Sequence, residues 1–98
     1  MPRLLYTPQA LTDMERLVDF LLQTDPSSAL QTYDLIESAL LVLTKHPLIG
    51  RPAEHGLREL VISRGTTGYL ALYRYYEVRD EVMMLAVRHQ REAGYTES

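Results

Sequence analysis

At 98 residues the chain has the size of one domain, and a chain this short buries roughly 60 to 70% of the surface that its unfolded form exposes. Its 46% hydrophobic and 23% charged content is that of an ordinary globular protein and excludes extended disorder. It has no cysteine and a formal net charge of -3, which removes disulfides and thiolate metal sites and argues against a domain that grips nucleic acid through a basic excess.

In chain order, Arg3 to Tyr6 reads as a short strand ended by Thr7 and Pro8. Thr7 is placed to cap a helix whose first position is Pro8, where the missing N–H costs nothing. Leu11, Met14, Val18 and Leu21, flanked by Leu17 and Leu22, predict an amphipathic helix with Asp13, Glu15, Arg16 and Asp19 on its solvated side. It should stop near Thr24, ahead of Pro26. Asp25 and Pro26 repeat the start signal, with Asp25 as the capping side chain. Ala29, Tyr33, Ile36, Leu40 and Leu43 then give a second helix a stripe to pack on the first. So short a connection makes the pair an antiparallel hairpin. Lys45 and His46 suit the helix C-terminus, and Pro47 ends it.

Leu48 to Gly56, punctuated by Gly50, Pro52 and Gly56, reads as a loop. Leu57 to Ser63, Tyr69 to Val78 and Glu81 to Arg88 then read as three strands of a meander, joined by a loop at Arg64 to Gly68 and a tight turn at Arg79-Asp80. The expected fold is α+β: an N-terminal strand, an antiparallel two-helix hairpin and a three-stranded antiparallel meander (β-α-α-β-β-β) in a single domain spanning residues 1–98. The last strand runs straight into Arg88, His89, Arg91, Glu92 and Tyr95, and polar groups bunched where a core strand emerges are a usual place for function.

Charge is uneven along the chain. Residues 1–50 hold three basic and six acidic side chains, and residues 51–98 hold seven of each. All seven basic groups of the second half are arginine, whose planar fork suits carboxylates and phosphates. The N-terminus lacks the pattern of a signal peptide and no apolar run is long enough to span a bilayer, so a cytoplasmic protein without a membrane partner is expected. His46, His55 and His89 lack metal-ligand spacing, Gly65 and Gly68 lack the lysine and hydroxyl of a phosphate loop, and neither a metal nor a cofactor is expected.

Taken together, the two proline-started helices, His46-Pro47 with Gly50-Arg51, Leu57-Arg58-Glu59-Leu60, Tyr73-Arg74-Tyr75, and Val87-Arg88-His89-Gln90-Arg91 resemble, in order and spacing, a toxin of the RelE/ParE family of bacterial type II toxin–antitoxin systems. The resemblance implies a cognate antitoxin as partner, with DNA reached only through that antitoxin. The RelE branch implies a ribosome-dependent messenger RNA endoribonuclease, which needs a base, an acid and cations around the phosphate. His89, Tyr95 and a clamp of Arg58, Arg74, Arg88 and Arg91 would supply them. The ParE branch implies a poison of DNA gyrase with no chemistry of its own, and the His-Gln-Arg tripeptide after the last strand looks more like this branch. On that reading Arg88, His89, Arg91, Glu92 and Tyr95 form the target-binding surface. A degenerate member acting only as a binding or co-repressing partner is the third reading. Each residue also has a plain structural reading: His89 bonded to a nearby carboxylate such as Glu92, Arg58 and Arg74 paired with Glu59, Glu77 or other carboxylates across neighbouring strands, the tyrosines as sheet packing, and Gly50 as a turn after the helix.

Overall fold

The computed structural model describes residues 1–64 and 67–91. They form β1 (Arg3–Tyr6), α1 (Pro8–Thr24), α2 (Pro26–Val42), β2 (Arg51–Pro52), a 3-10 turn (Glu54–Gly56), β3 (Arg58–Arg64), β4 (Thr67–Tyr76) and β5 (Glu81–His89). The α+β class, the helical hairpin and the antiparallel β3-β4-β5 meander are as the sequence predicts. The two-residue β2 lies inside the stretch expected to be loop, where it pairs Arg51 with Glu59 and Pro52 with Arg58. Two residues carry no periodicity, so only the completed sheet reveals them.

The strands assemble in the order β1-β5-β4-β3-β2. The first strand therefore lies beside the last, in parallel, with Arg3 opposite Glu81 and Tyr6 opposite Met84. Arg3 and Glu81 close this edge with an ion pair. One face of the sheet receives α1, and α2 packs on α1 and reaches β3. Ile36, Leu40 and Leu43 of α2 and its C-terminal turn meet Met14 and Leu17 of α1 and Tyr73, Val82, Met84 and Val87 of the sheet in one core.

Local signals explain the helices, with corrections. The Thr7 hydroxyl accepts from the Ala10 N–H at 3.1 Å and Pro8 opens α1, as the cap argument requires. Asp25 does not cap α2 in this way. Its side chain makes no cap bond to the helix backbone and accepts instead from the hydroxyls of Ser27 and Ser28. In α1 the buried stripe is Ala10, Met14 and Leu17 together with Asp13, about one residue round from the expected one, so Leu11 and Leu22 are exposed. In α2 Thr32 is buried where Tyr33 was expected, and Tyr33 lies at the margin. Asp13, expected on a solvated face, is only 1% exposed. The α-helix of α2 stops at Val42 and tighter turns carry the chain past Lys45 to His46, whose N–H bonds the Val42 carbonyl at 2.9 Å.

Candidate functional site

Position on the last strand decides where each candidate side chain points, and β5 is irregular. Leu72 faces Ala86 while Tyr73 faces Met84, so Leu85 is an extra residue on β5 with no opposite number, a β-bulge. Val82, Met84 and Val87, spaced two and then three apart, consequently all enter the core. His89 follows Val87 onto the helix side of the sheet, opposite Tyr69, and Arg88 turns to the open side, opposite Leu70. In an unbroken strand the alternation would reverse both.

Two side chains from the N-terminal part hold the bulge. The Thr7 hydroxyl donates to the Leu85 carbonyl at 3.2 Å, and Asp13 Oδ2 accepts the Val87 N–H at 2.9 Å. The other Asp13 oxygen accepts from the Gln9 amide at 2.8 Å and lies 3.8 Å from the Arg16 guanidinium. A buried carboxylate is tolerated when its charge is paired and its lone pairs are used in this way. The residue expected to be solvent-facing is thus what ties α1 to the end of β5.

Beyond this tie the imidazole of His89 stands edge-on to the Tyr69 ring, with centroids 5.3 Å apart and planes at 81°. The Arg91 backbone N–H donates to His89 Nδ1 at 3.0 Å, which assigns the proton of the neutral ring to Nε2 and directs that donor outward. The pairing expected between His89 and Glu92 lies outside the described residues, as do Glu92 and Tyr95 themselves. Together Tyr69, His89 and Arg91 form one wall of a cleft of about 500 Å³, and Arg16, Leu17, Phe20 and Leu21 of α1 form the other. Phe20 is 60% exposed at its lip. Sequence reasoning missed the α1 wall, although an exposed aromatic on a helix beside Arg16 is the kind of signal that marks such a place.

The remaining candidates are dispersed. Arg58 shares the helix side with its cross-strand partner Tyr73, and its guanidinium donates to the carbonyls of Leu48 at 3.1 Å and Gly50 at 2.8 Å. Arg74 lies on the open face, donates to the His55 carbonyl and sits 5.8 Å from the Tyr76 ring, over which Arg79 stacks at 4.2 Å. Both arginines thus bond to loop carbonyls, and Glu59 pairs with Arg51. Arg88 contacts the carbonyls of His89 and Gln90 at 3.3 and 3.4 Å. Gly68 makes room for the Gln90 side chain, and its carbonyl accepts the Gln90 N–H at 2.8 Å. Gly50 is required by proximity: a Cβ there would stand 2.6 Å from Tyr73 Oη, which accepts the Gly50 N–H at 2.9 Å and donates to the Pro47 carbonyl at 2.8 Å. Burial of Tyr73 raises the pKa of its hydroxyl above 10.0.

On the other flank of α1 a second groove runs between the two helices. Leu11, Leu22, Leu30 and Tyr33 line it, with Glu15 and Asp19 among them. Leu30 is 71% exposed and Leu11 51%, an apolar face of the sort that marks a contact surface. The single helix α1 thus separates a cleft edged by cations from a groove edged by carboxylates.

Comparison with known proteins adds the following. A family model described as "ParE toxin of type II toxin-antitoxin system, parDE" matches residues 4–94. Toxin RelE3 of Caulobacter vibrioides is 38% identical over 85 residues, covering 87% of this chain and 90% of the relative. Toxin RelE1 of the same bacterium is 36% identical over 70 residues, covering 71% and 75%. Among solved structures, a chromosomal ParDE system from P. aeruginosa superposes with a TM-score of 0.75 at 25% identity, over 91% of this chain and 96% of that one. The RelBE2 toxin–antitoxin complex of Mycobacterium tuberculosis gives 0.59 at 26% identity, over 92% and 100%. The RelBE complex of E. coli, at 0.69 and 13% identity over 94% and 100%, shares the fold.

Proposed function

The chain belongs to the RelE/ParE family of toxins from type II toxin–antitoxin systems, and from that premise we propose that it acts as a poison of DNA gyrase held in check by a cognate antitoxin. The observation that carries the choice of target is the division of its cationic side chains between two faces. His89 lies on the helix side of the sheet, whereas Arg74 and Arg88 lie on the open side, and Arg58 is engaged with the loop carbonyls of Leu48 and Gly50. Cleavage of RNA requires a base within hydrogen-bond reach of the attacking hydroxyl and cations gathered on the same phosphate. Of the four arginines expected as the clamp, only Arg91 shares the cleft with His89, and Arg58, Arg74 and Arg88 lie elsewhere. A poison needs a contact surface only, and Arg88, His89 and Arg91 supply one around the end of β5, followed in sequence by Glu92 and Tyr95.

We assign the antitoxin to the groove between α1 and α2. The exposed Leu11, Leu22 and Leu30 support this, as does the fact that structural relatives are toxin–antitoxin systems. An apolar groove edged by Glu15 and Asp19 suits an amphipathic segment carrying lysine or arginine beside its apolar side chains.

The test is a supercoiling and DNA-cleavage assay with gyrase and antitoxin-free protein, run beside a translation extract probed for cut messages. Trapped cleaved DNA with intact messages is the expected outcome. The Arg88→Ala, His89→Ala, Arg91→Ala triple variant should lose at least tenfold of that effect while it still folds and binds antitoxin. Cut messages with normal supercoiling would overturn the reading in favour of the ribonuclease.

A further inference from the structure

The cleft between α1 and the end of β5 has a chemistry that its role as a contact surface does not by itself specify. Its floor is Leu17, Leu21 and the Tyr69 ring, Phe20 stands at the lip, and the polar groups at its mouth are the guanidiniums of Arg16 and Arg91 and the Nε2 side of His89. No carboxylate lines it among the described residues. Asp13 is buried and turned to Val87, Gln9 and Arg16. On a chain of net charge -3, whose other groove is edged by Glu15 and Asp19, this is a local reversal of sign over an apolar base.

We propose that this cleft binds a peptide segment of the target protein in which an aromatic or large aliphatic side chain stands next to a carboxylate. The proposal rests on the reading that the end of β5 is the target-contact surface, and it names what that surface recognises. The apolar side chain enters between Phe20, Leu21 and Tyr69, and the carboxylate meets Arg91 with the Nε2–H of His89 as a second donor. Its volume of about 500 Å³ lies within the roughly 300–1,000 Å³ of small-ligand sites, which suits one or two side chains rather than a docked helix. Charge complementarity selects the acidic segment, because a basic one would bring like charges together at the mouth.

The experiment measures fluorescence anisotropy of three dye-labelled synthetic pentapeptides on the purified chain: Glu-Phe-Glu-Leu-Glu, its lysine counterpart Lys-Phe-Lys-Leu-Lys, and Glu-Ser-Glu-Ser-Glu. The first should bind at least tenfold more tightly than either of the others and weaken as salt rises. Its binding should fall at least tenfold in Arg91→Glu and in Phe20→Ser, both changes at exposed positions, and stay unchanged in Leu30→Ser across the helix. Circular dichroism confirms that each variant is folded. Equal binding of the lysine peptide, or binding of the first peptide that survives both cleft substitutions, overturns the proposal. The same variants are scored for toxicity, which separates the two readings. Lost toxicity in Arg91→Glu with no peptide bound by the wild type refutes the chemistry assigned to the cleft and spares the target surface. Peptide binding that Arg91→Glu abolishes without loss of toxicity supports the cleft and removes it from target contact.

Discussion

Asp13 and Tyr73 do similar work in different places, each satisfying buried backbone groups far away in sequence. Asp13→Ala leaves the Val87 N–H without its acceptor, and stranding a buried donor costs about 1–3 kcal/mol. Urea unfolding should report a loss of that size, against a change within about 0.5 kcal/mol for the exposed Asp19→Ala. Tyr73→Phe abandons the Gly50 N–H and the Pro47 carbonyl together and should cost a similar amount, about 1–3 kcal/mol. The tyrosine also sets a pH dependence. Burial holds its native pKa above 10.0, so above that pH the unfolded chain loses the proton first, and the native state retains it until its own higher pKa is passed. Stability linked to Tyr73 is therefore complete below pH 10 and falls above it. Urea midpoints at increasing alkaline pH should show the gap between wild type and Tyr73→Phe narrowing above pH 10. None of this was legible from composition or spacing. Asp13 reads as one more charge on a polar face and Gly50 as a turn, because the partner that gives each its meaning lies 74 and 23 residues away, respectively.

The elements were more legible than their faces. Proline, threonine and apolar period fixed both helix starts and the end of α1, since those signals act within one turn. The strands of the meander were found for the same reason, with ends off by one or two residues. What periodicity could not supply was the bulge at Leu85, and with it the side of the sheet that His89 takes. The bulge yields a sharp expectation. Deleting Leu85 restores a regular ladder with Val87 and His89 on their present side, so the His89–Tyr69 ring contact should persist in proton NMR. The cost is the Thr7–Leu85 hydrogen bond, about 1 kcal/mol. Inserting one alanine after Leu85 also makes the separation of Met84 and Val87 even, so a ladder regularised in that way again keeps His89 on the helix side and preserves the contact. Loss of the contact in either variant would show that the bulge itself, rather than strand alternation, dictates the orientation. The apolar stripe of α1 carries a related lesson. The periodicity of Leu11, Val18 and Leu22 predicts core, but they edge the inter-helix groove, and a helix with two apolar flanks gives a sequence no sign of which one the sheet will cover.

At the scale of the whole molecule, α1 divides surface of opposite character, and each flank should fail separately. Leu30→Ser should weaken antitoxin binding about tenfold, in line with the burial of one leucine, and leave the melting temperature and the toxic effect of free protein unchanged. Titration calorimetry with the antitoxin checks the first and a thermal melt the second. The sheet order has a further consequence, one of timing. β5, the last of the described strands, lies inside the sheet between β1 and β4, and its contacts with β1 join residues 78 apart in the chain. Until β5 leaves the ribosome, β1 has no strand to pair with and α1, though it can meet α2, lacks its main partner in the sheet, because long-range pairing cannot begin before both partners exist. The strand that carries Arg88 and His89 is also the one that completes the fold. A nascent chain therefore lacks both its completed core and its Arg88–His89 surface until that strand has emerged, so the surface and the fold that supports it arrive together.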